Sequence, residues 1–273
     1  FLKDLTEFME LQPKRYLAAD PEKTLSIFYG RNQRMASENA GFPKTVVVVP
    51  DGNRRKASRI GLPAWRGHEA GYETFKIIFD AIWKYDVEYF VFWALSHDNL
   101  VKRSSKEISF LFSLFQKALE GVEEKIASDD REICFHAIGD WKENFPQALS
   151  LQIESLALKT CGNSKRHFTL LLVYDGKKEI FDAMNKMCQL RSSDVSITET
   201  EVKKYLQSGY IPDVDLYIRT GTEGDPHLSS GALMFQMANA QLAFTQTLWP
   251  NFTVEEFDKI MLNYKNRERR LGR

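Results

Sequence analysis

The sequence predicts a single α/β domain with a mainly parallel central sheet flanked by helices. Thr45–Val49 is a β-branched run without polar alternation, which is typical of a strand buried on both faces. From Thr45 onward such runs mostly alternate with segments of helical apolar spacing, and this alternation favours parallel strands joined by helices. The 273 residues, 43% of them apolar, suffice to bury a core without disulfides or a structural metal.

Each predicted strand is a short apolar run, and after Thr45–Val49 the runs are Tyr89–Leu95, Ile133–Ile138, His167–Tyr174 and Asp215–Arg219. The predicted helices carry apolar residues at helical spacing, and they are Glu69–Tyr85, Lys106–Ala127, Phe145–Leu158, Lys177–Gln189, Ala232–Phe244 and Val254–Arg269. Thr198 and Glu201 form a capping box, which starts another helix. Residues 1–44 are predicted as an N-terminal helical extension of a domain that spans 45–273.

Charge and hydropathy exclude several classes of protein. Lys plus Arg and Asp plus Glu each number 37, so a net charge of zero predicts no nucleic-acid partner. No apolar run approaches the ~20 residues of a membrane span, and residues 1–44 lack a signal-peptide core, which predicts a cytoplasmic protein. Cys134, Cys161 and Cys188 match no metal or redox spacing, so we predict buried free thiols.

Polar clusters follow four of the predicted strands, namely Asp51–Arg55, Ser96–Asn99, Tyr174–Lys177 and Arg219–Glu223. Each alone is ordinary turn chemistry. The carboxyl ends of parallel strands meet at one edge of a sheet, where ligands bind. Asp offers a Mg²⁺ ligand, Gly lets backbone N–H groups approach an anion, and Arg offers a forked donor. Together the clusters predict a site for a phosphorylated ligand with Mg²⁺.

Longer motifs resemble a known family. They are Asp51-Gly52-Asn53-x-Arg55, Gly61, Gly67-His68-x-x-Gly71, Asp215-Leu216-x-Ile218-Arg219-Thr220-Gly221, Leu248-Trp249-Pro250-x-Phe252 and Asn266-Arg267-Glu268-Arg269-Arg270-Leu271-Gly272. Their order and spacing resemble the signature of the cis-prenyltransferases, the undecaprenyl diphosphate synthase family. The resemblance runs from about Thr45 to Gly272 and leaves residues 1–44 unexplained.

The resemblance implies that an allylic diphosphate is joined to isopentenyl diphosphate in an apolar tunnel, with Mg²⁺ held by Asp51. Ser96 and Asn99 then stand where the family places residues used in ionisation and proton removal. The residues implied to contact the diphosphates are Gly52, Asn53, Arg55, His68, Lys102, Arg103, Arg219, Ser229, Ser230, Arg270 and Gly272. The last two resemble a motif that reaches into a partner subunit, which implies a homodimer. A lipid product further implies peripheral contact with a membrane.

The chain departs from the family pattern mainly at the second-substrate site. Lys56 replaces a Trp, Ala64 an Arg, and Lys102 an Arg, although Arg103 lies beside it. The Arg-x-Ser that holds isopentenyl diphosphate is disturbed within Gly224–Ser230. Gln241 stands where the family has a metal-associated Glu, and Glu223 and Asp225 are candidates to replace it.

Three hypotheses follow. The first is cis head-to-tail elongation with isopentenyl diphosphate. The second is irregular head-to-middle condensation with dimethylallyl diphosphate as the second substrate. The third is a non-catalytic partner subunit of a heteromeric prenyltransferase, against which Asp51, Asn99 and Arg270-x-Gly272 argue; a generic nucleotide-binding protein is a weaker fourth reading. The resemblance also places Phe79, Trp83 and Phe110 at the tunnel, and such bulky rings favour a product of a few isoprene units.

Overall fold

The computed structural model describes residues 41–128, 131–190, 197–229 and 231–267. Six strands form one sheet in the order β3-β4-β2-β1-β5-β6, and every pair of neighbours is parallel. The strands are β1 (Thr45–Val49), β2 (Tyr89–Ser96), β3 (Ile133–Ile138), β4 (Arg166–Tyr174), β5 (Leu216–Arg219) and β6 (Gln241–Phe244). The predicted fold class is confirmed.

The helices of the described residues are α1 (Asn53–Arg59), α2 (Ala64–Ile82), α3 (His97–Lys102), α4 (Ser105–Ala127), α5 (Trp141–Asn144), α6 (Gln147–Thr160), α7 (Gly176–Leu190), α8 (Glu199–Lys203) and α9 (Val254–Asn266). Short 3₁₀ turns lie at Trp83–Tyr85 and Trp249–Asn251. The capping box at α8 is confirmed on one side, because the Thr198 hydroxyl accepts the backbone N–H of Glu201. None of these helices is long and apolar enough to cross a membrane.

The sheet separates two apolar layers because successive residues of a strand point to opposite faces. Val46 and Val48 of β1 face a large core with Phe75 and Phe79 of α2. Val47 and Val49 of the same strand belong to a second core on the other face. A strand buried on both faces has no polar alternation, which explains the β-branched run.

The prediction of a helix over Ala232–Phe244 is wrong. Gly231 and Leu233 have φ values of +68° and +46°, which interrupt a right-handed helix, and turns lead into β6. The apolar side chains of Ala232, Leu233 and Met237 pack on the second core, so their spacing reflects burial without a helix. Residues 241–244 form a strand because they pair in parallel with the edge of β5 that faces away from β1.

Further expectations are corrected. The closing helix ends at Asn266, and two short helices that sequence reasoning missed, α1 and α3, follow β1 and β2. Cys134 is buried as predicted, but Cys161 and Cys188 are exposed because they lie at or near the ends of α6 and α7. The predicted extension over residues 1–44 falls almost wholly outside the described residues.

Candidate active site

The carboxylate of Asp51 lies between two guanidinium groups beyond the carboxyl end of β1. Arg55 Nη2 lies 3.1 Å from Asp51 Oδ1, and Arg219 Nη2 lies 3.0 Å from Asp51 Oδ2. Strand pairing explains the second contact, because β1 and β5 are neighbours with Val49 opposite Arg219. The predicted convergence of the Asp51 and Arg219 clusters is therefore present in the structure.

Arg219 is 6% exposed and is held by a second bond, from Nη1 to the His227 carbonyl at 2.8 Å. Its Nε is buried without a hydrogen-bond partner in the part of the chain that the structure describes. A buried cationic donor without an acceptor is costly. Such a donor is suited to an anionic ligand oxygen.

Two glycines let the backbone pack tightly around Asp51. Gly52 has a φ of +111°, and a Cβ there would lie 2.9 Å from the Leu248 Cα. Gly221 has a φ of +63°, and a Cβ there would lie 2.7 Å from the Asp51 carbonyl oxygen. The Asp51 carbonyl also accepts the Thr220 hydroxyl at 2.9 Å and the Trp249 N–H at 2.9 Å. The turn that carries Asp51 is thus fixed from three sides.

Glu223 is the second carboxylate of this cluster. Arg55 Nη1 lies 2.8 Å from it, and Arg59 also forms an ion pair with it. The hydrogen bond from Arg55 holds the pKa of Glu223 below its usual range, so this carboxylate is ionised at pH 7. Gln241 lies at the amino end of β6, opposite Leu216, where its amide oxygen accepts Arg267 Nη1 at 3.2 Å. Within this chain, therefore, Glu223 shares the Arg55 guanidinium with Asp51, whereas Gln241 contacts Arg267.

Ser96 caps α3 and binds Asn99 twice. The Ser96 Oγ accepts the Asn99 backbone N–H at 3.1 Å and the Asn99 Nδ2 at 2.6 Å. The Asn99 Oδ1 accepts a bond from Arg103 Nη2. Lys102, by contrast, points outward and pairs with Asp98 at 2.5 Å. Arg103 rather than Lys102 therefore supplies the cation beside Asn99.

His68 and Glu107 form a buried pair, 7% and 5% exposed respectively, in which Nε2 lies 3.0 Å from Oε1. Burial and then the positive charge of Arg103 lower the pKa of His68, so its imidazole is neutral at pH 7 and donates Nε2–H to Glu107. Arg54 Nε at 3.4 Å and Arg103 Nε at 3.5 Å also face Glu107.

Sequence reasoning missed Glu107 and Arg54. Ser104 and Glu107 have the spacing of a capping box, and Ser104 Oγ does accept the Glu107 N–H at 3.3 Å. The Glu107 side chain, however, turns towards His68. A buried acid opposite a histidine on another helix is not detectable from local spacing.

An apolar cavity of about 90 Å³ lies next to these polar groups. Asn53 and His68 contribute to its lining, so it adjoins both clusters. The other lining residues belong to the first core and its surroundings, and they are Pro50, Gly71, Tyr72, Phe75, Phe92, Ala94, Leu111, Leu114, Phe115, Ala118, Leu119, Val122, Ile153, Leu170, Leu172 and Trp249. An apolar space between α2, α4 and the sheet is thus present.

The three residues expected at the tunnel, Phe79, Trp83 and Phe110, all belong to the described part of the chain, but they do not line this cavity. Phe79 and Trp83 pack behind Phe75. The ring centroids are 5.6 Å apart for the tilted pair Phe75 and Phe79 and 5.8 Å apart for the T-shaped pair Phe79 and Trp83. Phe110 packs on Trp65 at 5.0 Å. The resemblance placed these rings on or next to α2 and α4, which do line the cavity, but other residues of these helices form its wall.

The remaining predicted site residues are dispersed. The Ser229 backbone N–H donates to the Tyr217 hydroxyl at 3.2 Å. Tyr174 donates to the buried Glu179, which gives the Tyr174–Lys177 cluster a structural contact on α7. Ser230, Arg270 and Gly272 lie outside the described residues, so their roles stay predictions.

Taken together, five guanidinium groups and three carboxylates form ion pairs beside an apolar cavity, namely Arg54, Arg55, Arg59, Arg103 and Arg219 with Asp51, Glu107 and Glu223. These ion-paired groups carry a surplus of two positive charges. At the carboxyl edge of a parallel sheet, that arrangement in an α/β protein is suited to an anionic group attached to an apolar chain.

Similarity to known proteins identifies the family of this chain. Residues 49–272 match the sequence model of the family described as "Putative undecaprenyl diphosphate synthase". Isoprenyl transferases from Nitrosomonas europaea and Wolinella succinogenes are 33% and 36% identical, over 86% and 84% of this chain and 88% and 96% of theirs.

Two solved structures share the fold. Lavandulyl diphosphate synthase from Lavandula x intermedia, in complex with dimethylallyl diphosphate, has a TM-score of 0.77 at 26% identity, over 85% of this chain and 99% of that one. A probable undecaprenyl diphosphate synthase from Campylobacter jejuni has a TM-score of 0.67 with the same identity and coverage. The chain belongs to the undecaprenyl diphosphate synthase family, the cis-prenyltransferases, which are enzymes of isoprenoid synthesis.

Proposed function

We propose that this enzyme condenses an allylic prenyl diphosphate with a second isoprenoid diphosphate, by cis head-to-tail elongation with isopentenyl diphosphate. The observation that carries the proposal is the junction of a cationic cluster with an apolar cavity. A prenyl diphosphate has the same two parts, an anionic head and an apolar tail. The cavity volume of about 90 Å³ lies below the roughly 300–1,000 Å³ of typical ligand sites, which supports a short product.

The donor set at Asp51 fits Mg²⁺. The Asp51 side chain is 39% exposed and offers hard oxygen ligands, and Mg²⁺ in proteins is commonly held by one or two carboxylates together with substrate phosphates. Asp51 would hold the ion together with the diphosphate oxygens. Glu223 is the second carboxylate nearby, because Arg55 forms ion pairs with both acids. The ion would supply positive charge to the departing diphosphate.

Arg55 and Arg219 bind the two diphosphate heads in this proposal. The carbon–oxygen bond of the allylic substrate breaks and its electron pair leaves with the diphosphate. The alkene of the second substrate then forms the new carbon–carbon bond, and a proton leaves the product. Guanidinium groups that are already oriented stabilise the leaving charge without reorganisation. The apolar walls keep water from the reacting carbon.

We assign ionisation and proton removal to Ser96 and Asn99. The Ser96 oxygen already accepts two bonds from Asn99, so its own O–H hydrogen is left to donate to a diphosphate oxygen. Arg103 fixes the Asn99 amide. Neutral His68 gives Nε2–H to Glu107 and leaves Nδ1 as an acceptor.

Irregular head-to-middle condensation with dimethylallyl diphosphate as the second substrate is the second candidate. The segment 224–229, which follows Glu223, contains no Arg or Lys, whereas the family holds isopentenyl diphosphate there with an Arg. The structural neighbour from Lavandula was solved with dimethylallyl diphosphate. Both observations favour a second site that accepts an allylic molecule.

Mass spectrometry of products from isopentenyl, dimethylallyl and longer allylic diphosphates, offered separately and together, tests both candidates. Elongation requires isopentenyl diphosphate in the product. A ten-carbon diphosphate from dimethylallyl diphosphate alone would establish the irregular reaction. No product from any combination, in the presence of Mg²⁺, would contradict both, and would return the non-catalytic partner subunit as the explanation.

A further inference from the structure

Three potential metal ligands meet on the face of the sheet opposite the cavity. Cys134 and His136 alternate along β3, so their side chains share one face, and His167 of β4 lies opposite Cys134 in the register. The Sγ and one ring nitrogen from each histidine all lie within 4.8 Å of one another. This cluster is near the amino ends of β3 and β4, whereas Asp51, Ser96 and Arg219 follow carboxyl ends.

The rings of the cluster are held in place by their neighbours. Tyr89 stacks on His167 with ring centroids 4.5 Å apart and an interplanar angle of 9°. Tyr210 lies 4.3 Å from the His136 ring and is itself bonded to Thr169 at 2.8 Å. Because packing already fixes these imidazole rings, less conformational freedom is lost when they bind a ligand.

We propose that Cys134, His136 and His167 form a binding site for a divalent cation of borderline softness, with Zn²⁺ as the reference ion. Zn²⁺ binds thiolate and imidazole ligands, and three protein ligands leave a fourth position for water. Mg²⁺ prefers oxygen ligands, so this site is chemically distinct from the one proposed at Asp51 and independent of the proposed function.

The separations suit a tetrahedral ion. His136 Nε2 and His167 Nδ1 are 3.1 Å apart, and two nitrogens bound to one tetrahedral Zn²⁺ lie about 3.4 Å apart. The separation of the two nitrogens is therefore within a few tenths of an ångström of that expected for two ligands, and the proton that they share in the hydrogen bond must leave this position when the ion binds. Partial exposure of both histidines leaves an entry path for the ion.

Metal binding requires a deprotonated thiol and neutral imidazoles. The Cys134 thiol therefore loses its proton when the ion binds. That proton passes to solvent as the metal–sulfur bond forms, and no electron changes hands.

Titration of the chelator-treated full chain with Co²⁺, with excess Mg²⁺ present, tests the proposal. We expect one equivalent to bind with a thiolate-to-cobalt charge-transfer band and intense four-coordinate d–d bands, both displaced by Zn²⁺. The melting temperature of the wild-type protein should also rise with Zn²⁺, because the ion binds the folded state. A wild-type chain that shows no sulfur band would overturn the proposal without any variant.

Variants then identify the ligands. Cys134→Ser should abolish the charge-transfer band, and His136→Gln and His167→Gln should each weaken binding by at least about tenfold. Far-UV circular dichroism checks that each variant is folded. The matched controls are Cys161→Ser and Cys188→Ser, which remove exposed thiols and should leave the band unchanged. A band that persists in Cys134→Ser, or disappears in Cys161→Ser, would contradict the assigned site.

Discussion

Two parts of the site at the carboxyl edge of the sheet, the turn around Asp51 and the segment 223–228, differ in how tightly they pack. They are called the two halves of the site below. Around Asp51, the turn is packed against Leu248 and both carboxylate oxygens have cationic partners. The segment 223–228 is exposed throughout, and its contacts with the rest of the site are Glu223 with two arginines and the His227 carbonyl with Arg219. We infer from the difference that the proposed first diphosphate site is preorganised, whereas the proposed second site is less constrained by packing.

The largest effect is expected at the preorganised half. Asp51→Asn should lower kcat by about 100-fold or more, which is the usual cost of removing one oriented electrostatic group, while circular dichroism stays native. Asp98→Asn is the control, because Asp98 pairs with Lys102 at the surface. A decrease of less than about tenfold, or ~1.4 kcal/mol of barrier, would contradict the proposed Mg²⁺ role.

Arg219 contacts both halves of the site, through Asp51 and the His227 carbonyl. Its substitution should have the second largest effect on activity. Arg219→Lys keeps the charge but loses the forked donors, so we expect kcat/KM to fall by about 10- to 100-fold, in line with ~1.5–3 kcal/mol for charged hydrogen bonds. Initial rates with each substrate varied in turn would measure it. An effect confined to the allylic substrate would remove Arg219 from the second site.

Glycine substitutions compare the packing of the halves directly. Gly52 and Gly224 both have positive φ, +111° and +89°, but only Gly52 is crowded, since nothing lies within 4 Å of a Cβ at Gly224. Alanine at either position costs about 1–2 kcal/mol from the backbone alone, and Gly52→Ala should cost more because of Leu248. Equal shifts in melting temperature would show that the two turns are equally loose.

The cavity wall should control product length. Phe115→Ala removes a lining ring, so we expect longer products in chain-length analysis, as space opens beside the growing chain. Phe110→Ala, on the same helix, is the matched control. The family resemblance predicts that Trp83→Ala lengthens the product if this ring is the tunnel floor, but Trp83 lies two rings behind the lining, so we expect a smaller change there than for Phe115→Ala. Longer products from Trp83→Ala alone would place the tunnel floor deeper than the cavity.

The smallest effect is expected from Gln241→Glu. If loss of the family's carboxylate at this position shapes the second site, this substitution should shift the preference towards isopentenyl diphosphate. The position of Gln241 beside Arg267, at the amino end of β6, instead predicts a change of less than about twofold, within the range of surface substitutions. Competition between the two second substrates measures the ratio, and a clear shift would restore the role that the family resemblance implies.

Local patterns determined much of this protein. Five of the six strands, the parallel sheet and the convergence of Asp51 with Arg219 follow from short apolar runs and from the polar residues after them. Burial on both faces removes polar alternation, and parallel strands end at a common edge, so both features leave a mark in neighbouring residues. The family signature added residue roles that no spacing rule contains, and those roles stay proposals.

Only the tertiary structure determined four features. They are strand β6, the contact of Asn99 with Arg103 in place of Lys102, the Glu107–His68 pair and the wall of the cavity. Each depends on a partner far away in sequence. β6 exists because the edge of β5 offers unpaired backbone groups, and this gain outweighs the helical spacing of residues 232–244. Glu107 points away from its own cap because His68 on α2 lies within reach. The cavity ends at Phe75 because rings from β2 and β4 pack against it, and no local period encodes where side chains of different elements meet.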